Sequence, residues 1–419
     1  MAKNDKKENN NVLKKGASSF QLIGEAKIND YTFKIDEESA SNWVYNAMNL
    51  GVDCGNGNTV YCDLMGGYSS VSDSVIYVHG KKENDNGKEI DDYENRFTID
   101  WDDRFDEDVL GEIGNQCFIT IGLEKDNKGK TFAKKFLSAY DAIEYIKEHL
   151  EEGTVINVKG NLKYSSYQGN TQIKKEVTSV FLSKADNPSK YSATFQQTIL
   201  IDKDSLDKYD KESSSFPINA YVVDYVGKYG ENKQEIKQNV AFPKMFQFEI
   251  SPDELEKGTK LVNKLFKAKK DNINELLVEG DIIEGQAKIN ITIDDVPDDI
   301  KELIELGAYT EEEALAKCAV GNTREKKMVI KKPVIRIVGE GDDKKPVIVR
   351  TDDKYKFDDL VFLSQLIDEE TEEENEPKNK KDTKKDTKNT KYDSNNESKE
   401  YSLDDLDALL NDSDDEVPF

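Results

Sequence analysis

The chain has 419 residues and carries 85 acidic against 59 basic side chains, a formal net charge of −26. That length accommodates two or three domains, and the charge excludes a uniformly basic surface that would coat duplex DNA by global attraction, since phosphate binding needs local Lys or Arg. The four cysteines, Cys54, Cys62, Cys117 and Cys318, are too sparse for a secreted disulfide scaffold and fit a reduced, cytoplasmic setting. Met1 to Asn11 is polar and charged, and no run of about 18 apolar residues occurs, so neither a signal peptide nor a membrane span is expected.

In chain order, residues 1–17 are expected to form a flexible arm. The body then consists of short β-like runs separated by Gly, Asn and Asp turns. Candidate strands are Phe20–Lys27, Tyr31–Ile35, Thr59–Met65, Ser74–Val78, Arg96–Trp101, Gln116–Leu123 and Thr131–Leu137. Trp43, Val44 and Ala47 have the spacing of one apolar helix face. Tyr140–Leu150 places Ile143, Ile146 and Leu150 at helical spacing, and two strands follow, Val155–Tyr164 and Ile173–Leu182, joined by a Gln168-Gly169-Asn170 turn.

Asn187-Pro188 marks a boundary, after which the order of elements repeats. Strands are expected at Ala193–Ile201, Ile218–Val226 and Val240–Ile250. A helix begins at Ser251-Pro252-Asp253-Glu254, where a cap residue, a first-turn proline and early acids coincide. Asp281–Thr292, an acidic helical insertion around Asp298–Cys318, Lys327–Val338 and Val347–Arg350 complete the second half. Both halves therefore run through several strands, one helix and two more strands. Glu152-Gly153-Thr154-Val155-Ile156 also aligns with Glu279-Gly280-Asp281-Ile282-Ile283, an offset of 127 residues.

From Asp368 onward the composition changes. The last segment holds 19 acidic and 8 basic residues, including the repeat Lys381-Asp382-Thr383-Lys384-Lys385-Asp386-Thr387-Lys388. So few apolar residues cannot offset the entropy of ordering, and a disordered linker is expected over 368–402. Within the terminal segment 403–419, Leu403, Leu406, Leu409 and Leu410 have the spacing of a weak helix, and the chain closes on Asp414-Asp415-Glu416-Val417-Pro418-Phe419.

Enzyme motifs are weak. Gly129-Lys130-Thr131 lacks the earlier glycine of a phosphate loop, because position 124 is Glu124, and it lies between two strands. Asp126-Asn127-Lys128-Gly129 is a hairpin turn. Asp100, Asp102, Asp103, Asp106, Glu107 and Asp108 have the density of a solvated acidic loop and do not match a calcium-loop template. Cys54, Cys62 and His79 lack zinc spacing, and two histidines, His79 and His149, leave little material for nucleophile–histidine catalysis. No catalytic residue, metal site or cofactor is expected.

The local reversal of charge is more informative. Val155–Lys184 carries Lys159, Lys163, Lys174, Lys175 and Lys184 against the single acid Glu176, with Tyr164, Tyr167 and Gln168 inside the same stretch. Single-strand binding needs this pairing of cations for the backbone and rings on which bases stack. Lys125, Lys128, Lys130, Lys134 and Lys135 form a second basic run. Tyr61, Tyr77, Phe97 and Phe118 fit a core better than a stacking platform. Tyr221, Tyr225 and Tyr229 share one face of an extended strand.

The order strand–strand–strand–helix–strand–strand resembles the OB-fold of the single-stranded-DNA-binding (SSB) protein family, and the closing hexapeptide resembles that family's acidic tip, Asp-Asp-Asp-Ile-Pro-Phe, with Glu416 and Val417 as conservative differences. The resemblance implies a mainly β chain with two OB-fold-like Greek-key barrels in tandem, at 18–186 and 190–364, each with a helix between its third and fourth strands, followed by a disordered acidic tail. It implies a non-enzymatic, divergent, phage-type protein that coats single-stranded DNA in replication and recombination. Contacts would come from Lys134, Lys135, Lys159, Lys163, Tyr164, Tyr167, Gln168, Lys174 and Lys175. Replication, recombination and repair partners would be recruited through Asp414, Asp415, Glu416, Val417, Pro418 and Phe419: a pocket takes the terminal ring and a basic group pairs its carboxylate. The alternative is an adaptor that uses an SSB-like tail to bind replication proteins without gripping DNA.

Overall fold

In the computed structural model, residues 12–367 are described, apart from 85–86, 186, 231–232, 289–292, 294–295, 312–313, 316–319 and 340–343. The linker and the acidic tip, 368–419, lie outside the described residues. The chain is mainly β, and its strands follow from period-two burial. In β1 (Ser18–Lys27) every second residue is buried, from Ser18 through Phe20 and Leu22 to Ala26. After β2 (Phe33–Glu38), β3 (Trp43–Asp53) and β4 (Thr59–Ser69) pair antiparallel along their whole length. Trp43, Val44 and Ala47 are therefore strand residues, which corrects the expected helix face: the β-branched and aromatic run Trp43-Val44-Tyr45 favours an extended chain.

An excursion follows β4. It comprises the hairpin β5 (Val75–Glu83) and β6 (Glu89–Asp100), the short α1 (Glu107–Gly111), β7 (Ile119–Lys125) and β8 (Thr131–Phe136). Val78, Ile99, Ile113, Phe118 and Leu137 give it a small core of its own. Helix α2 (Ala139–His149) is capped by Ser138, whose side chain accepts from the Tyr140 N–H, and buries Ala142, Ile143 and Ile146. Then β9 (Val155–Tyr167) and β10 (Asn170–Leu182) form a hairpin. Its turn residues Gln168 and Gly169 both take positive φ, 48° and 75°, the geometry that matches the twist of paired strands.

These pairings close a ring. β1 pairs with β3, β3 with β4, β4 with β10 in parallel, β10 with β9, and β9 with β1. A closed five-strand barrel with its helix between the third and fourth ring strands is consistent with an OB-fold.

Past a short 3-10 turn at Pro188–Lys190 come β11 (Ser192–Ile201), β12 (Ser215–Tyr229), β13 (Gln234–Glu249), α3 (Leu255–Phe266), β14 (Asn272–Lys288), α4 (Asp298–Glu305) and β15 (Val320–Pro333). Here β11 pairs with β12, β12 with β13, β13 with β15 in parallel, β15 with β14, and β14 with β11. The remaining strands are the small hairpin β16 (Ile335–Val338) and β17 (Lys345–Ile348), and β18 (Arg350–Lys356), which pairs with β14.

The two rings are joined strand to strand. β1 and β11 pair antiparallel, with Phe20 opposite Phe195. On its other edge each phenylalanine faces a glycine of its own ring, Phe20 facing Gly160 on β9 and Phe195 facing Gly280 on β14. This register corrects the 127-residue match. Glu152-Gly153 lies in the turn before β9, with Gly153 at φ 79°, whereas Glu279-Gly280 lies inside β14; the structural counterpart of Gly280 is Gly160. A second correction concerns the N-terminal arm. Leu13 is only 2% exposed, and its carbonyl accepts from Asn239 Nδ2 at 2.8 Å, so the arm is packed from Leu13 onward.

Both glycines are required sterically. A Cβ at Gly160 would stand 1.9 Å from the Glu176 carbonyl oxygen and 2.6 Å from the Phe20 ring; at Gly280 it would stand 1.9 Å from the Val329 carbonyl oxygen. Backbone cannot yield as a flexible side chain does, so Gly160→Ala and Gly280→Ala should each cost at least about 1–3 kcal/mol. Urea unfolding midpoints check this, with Gly111→Ala at the end of α1 as a control that meets no atom within 4 Å and has no positive φ.

Candidate nucleic-acid interface

The β9–β10 hairpin carries most of the residues that sequence singled out for DNA contact, and the structure divides them into two sets. One set joins the rings. Along β9 the inward row Ile156, Val158, Leu162 continues to Tyr164, which is 4% exposed. Its hydroxyl donates to Gln197 Oε1 at 3.0 Å, an oxygen that also accepts from Ser18 Oγ at 2.9 Å. Its backbone N–H donates to Asp224 Oδ2 at 2.8 Å, and Asp224 is paired with Lys15. Burial, with the Asp224 charge, pushes the phenol well above its ordinary range. Tyr164 is thus a core residue, which corrects its assignment as a base platform. Lys175 is likewise 7% exposed and bonded to Glu284 Oε1 at 2.7 Å, so its charge is used inside the protein. Thr171 Oγ1 donates to the Pro243 carbonyl at 2.8 Å. In the reverse direction Asn58 donates to the Ile282 carbonyl at 2.9 Å and accepts the Glu284 N–H at 2.8 Å.

The other set faces outward. Lys159, Lys174 and Gln168 are exposed, and Tyr167 at the hairpin tip is 49% exposed. Lys163 pairs with Glu176 at 3.7 Å, both partly exposed. On the β7–β8 hairpin, Lys134 pairs with Glu124 at 3.3 Å and sits 4.3 Å over the Tyr145 ring. Lys135 donates to Asn115 Oδ1 at 2.7 Å and sits 5.2 Å over Phe118. Both lysines are exposed but already partnered, whereas Lys125, Lys128 and Lys130 at the tip are exposed without an ion pair among the described residues.

Beside Lys174 lies a feature that sequence reasoning did not find. The outward face of β3 and β4 forms a shallow depression of about 30 Å³, lined by Tyr31, Lys34, Tyr45, Ala47, Asn49, Asp63, Met65 and Lys174 among others. That volume cannot enclose a base, so a ring would have to lie across the surface. Tyr31 is 72% exposed, and Trp43, half-buried, stacks on Tyr45 with centroids 5.1 Å apart and planes at 14°. Asp63 accepts from Asn49 Nδ2 at 2.7 Å, while Asp36, Glu37 and Glu38 on β2 are exposed close by in sequence to Lys34. The face therefore offers aromatic rings and a few cations within an acidic surround.

Other rings are committed elsewhere. Phe118 is buried, and Tyr61 and Phe97 are half-buried. Tyr77 is 40% exposed on the excursion. Trp101 lies 5.0 Å from Tyr68, under an Arg104 guanidinium that binds Asp141 through Nε at 2.8 Å and Nη2 at 3.3 Å. Tyr221 meets Phe362 edge-on at 5.5 Å.

Among the described residues no group of three or more His, Cys, Asp or Glu could hold a metal ion. In the acidic loop, Asp106 caps α1 by accepting from the Asp108 and Val109 N–H groups. His79, Asp91 and Cys117 do come together: His79 Nε2 lies 2.9 Å from Asp91 Oδ1, and Cys117 Sγ lies 3.2 Å from Nδ1. The sulfur is also only 3.8 Å from Nε2. An acceptor in the ring plane at Nδ1 would be much farther from the other nitrogen, so the sulfur stands over the ring. That arrangement packs a thiol against an imidazole and does not align a nucleophile with a base; burial pushes the Cys117 thiol up, away from thiolate.

The family model described as YorF matches residues 113–284, less than half of the chain. The single-stranded DNA binding protein from Thermus aquaticus is a structural neighbour: its wild-type structure superposes at a TM-score of 0.28 with 12% identity, covering 65% of this chain and 87% of that one. A deletion mutant of the same protein gives 0.27 and 11%, covering 64% and 88%. A search of the curated proteins finds no match. Similarity at this level carries no functional argument, so function has to be argued from the chain's own residues.

The division of the hairpin makes a prediction. Lys175→Ala removes the cation bonded to Glu284, which then keeps only the neighbouring charge of Lys244, and should cost about 1–3 kcal/mol. Lys174→Ala, one residue away and exposed, should change stability by less than about 0.5 kcal/mol. Thermal or urea unfolding of the two variants side by side measures the difference.

Proposed function

We propose that this chain is a single-stranded-DNA-binding protein built from two tandem OB-folds, one at 18–186 and one at 190–364, with a recruiting C-terminal arm. The observation that carries the reading is the outward face of β3 and β4. It sets Tyr31 beside Lys34 and Lys174, Trp43 stacks on the Tyr45 that lines the same depression, and Tyr167 stands at the tip of the hairpin that carries Lys174. Stacking of bases on such rings contributes about 1–3 kcal/mol each and tolerates any sequence, which suits a coating protein. Lys34 and Lys174 line this path, and Lys159 adds an exposed cation on the same hairpin. Gln168, Lys134, Lys135 and Lys163 are retained as peripheral contacts, since each stays exposed or half-exposed; Tyr164 and Lys175 are not. The repeated strand order of the two rings supports the tandem arrangement.

The acidic tip supports the second half of the proposal. The Phe419 ring, preset by Pro418 and preceded by Asp414, Asp415 and Glu416, has the chemistry of a ligand for a basic-rimmed apolar pocket on replication, recombination and repair proteins. The same tip favours the adaptor reading, in which the tail acts without DNA binding. The two readings separate on DNA affinity alone.

Three outcomes are expected. Oligo-dT should quench the intrinsic fluorescence, and because the chain has two tryptophans, Trp43→Phe should abolish most of the quench while Trp101→Phe preserves it. With three lysines on the path and about −0.7 per neutralised phosphate on a single strand, the slope of log affinity against log salt should be about −2. Absence of binding at low salt would leave the adaptor reading. Deleting Phe419 should abolish capture of tip-dependent partners and leave DNA affinity unchanged or higher, as measured by pull-down and titration of the same preparation.

A further inference from the structure

The strand order of the large sheet ends at β8, which pairs with β7 and with no other strand among the described residues. Its outer row of backbone N–H and C=O groups therefore has no strand partner. Phe132, Ala133, Lys134 and Lys135 are all exposed on it. Lys130, just before β8, shares one side of the extended chain with Phe132 and Lys134 by period two. Phe132 is 41% exposed, and the Lys134 ammonium lies 5.9 Å from its centroid.

The tip that joins β7 to β8 is a built turn. Asp126 Oδ1 accepts the Lys128 N–H at 2.8 Å and the Lys130 N–H at 2.9 Å, and Gly129 takes φ 75°. The carboxylate of the tip's only acid is thereby folded onto the backbone, and Lys125, Lys128 and Lys130 stand exposed around it. Glu124, opposite Phe132, is held by Lys134 at 3.3 Å, by His149 at 3.8 Å and by the Tyr145 hydroxyl. In a chain of net charge −26 this is a local excess of cations around an exposed ring. Lysines on an edge strand also deter pairing with other sheets. That role accounts for the lysines and not for Phe132, since an apolar ring on an open edge invites the association that the lysines deter. Cations beside an exposed ring are the two parts that single-strand binding needs.

We infer that the β7–β8 hairpin is a second nucleic-acid contact, in which Phe132 stacks on a base and Lys125, Lys128 and Lys130 hold the neighbouring phosphates. The inference rests on the single-strand reading and extends it. β7 runs parallel to β10, with Thr120 level with Ser179 and Gly122 with Phe181. Carried onward, that register sets Glu124, and Phe132 opposite it, level with Ser183, nine residues beyond Lys174. At about 3.3 Å per strand residue the separation is roughly 30 Å. A strand that touches both the β3–β4 face and the hairpin spans about nine stacked nucleotides at about 3.4 Å each. Four nucleotides cover about 14 Å when stacked, and stretching them to twice that length still leaves them short of the second contact.

The test uses the full-length protein with dT4 and dT20, reading affinity at several salt concentrations, and melting temperature as the check on folding. With dT20 the three tip lysines join the three of the β3–β4 path, so the slope of log affinity against log salt should be about −4, against about −2 with dT4. Lys125→Ala/Lys128→Ala/Lys130→Ala should return the dT20 slope to about −2. Phe132→Ala should weaken dT20 binding about five-fold or more at an unchanged slope. Both variants should keep the melting temperature, and dT4 affinity should stay within two-fold. Unchanged dT20 affinity and slope in both variants would overturn the inference, as would a loss for dT4 as large as for dT20. Self-association of the lysine variant in sedimentation, with dT20 affinity intact, would assign the lysines to guarding the edge and overturn it too. Failure of the unaltered chain to bind dT20 at low salt is a separate result that overturns the single-strand reading itself.

Discussion

The antiparallel pairing of β1 with β11 is the constraint on which the rest of the molecule depends. It places Phe20 opposite Phe195 and makes each ring strand belong to two neighbours at once. The fourth strand of each ring must be glycine where it faces these phenylalanines, at Gly160 and Gly280, because a Cβ there would run into a carbonyl of the fifth strand, Glu176 on β10 or Val329 on β15. Once the rings are locked side by side, the β9–β10 hairpin falls across the second ring and the β14 strand across the first. That geometry consumes Tyr164, Lys175 and Thr171 in the joint. It leaves the hairpin's other face, with Lys159, Lys174 and Tyr167, free for a ligand.

Polar groups do much of the specifying at this joint. Gln197, 1% exposed, accepts from both Ser18 and Tyr164, and Asp224, 2% exposed, receives Lys15 and the Tyr164 N–H. Buried groups of this kind must be bonded or they cost free energy. They therefore fix one register between the rings more sharply than apolar packing alone, which tolerates substitution as long as volume is kept.

Much of this fold is legible in the sequence. Alternation marks the long strands, Ser138 and Ser251-Pro252 mark the regions where helices begin, and Gln168-Gly169 and Asp126–Gly129 mark hairpin turns. The strand–helix–strand order predicts the ring. What sequence reasoning missed has a common cause: it concerns which side of a strand meets another part of the chain. Tyr164 follows Ile156, Val158 and Leu162 at period two, so its inward direction was available, but a lysine-rich setting drew attention to its ring chemistry. Lys175 has no such signal, since its partner Glu284 is 109 residues away. Trp43 at the start of β3 mimics a helix face because Ala47 happens to fall three residues after Val44 and four after Trp43. Leu13 is one apolar residue in a polar arm, too little for any pattern. Tyr31 and Lys34, at the candidate interface, sit in a turn and on an edge strand where composition carries no periodicity. The enzyme-like grouping of His79, Asp91 and Cys117 is invisible to spacing and, once seen, fails on the position of its sulfur.

The central claim is that single-stranded nucleic acid lies on the outward face of β3 and β4 and passes the tip of β9–β10. Photocrosslinking of an iodouracil-substituted single strand to the full-length protein, followed by peptide mapping, tests it most directly. Crosslinks are predicted at Tyr31, Trp43 or Tyr167. Crosslinks confined to β12 and β13, or none at low salt, would contradict the account.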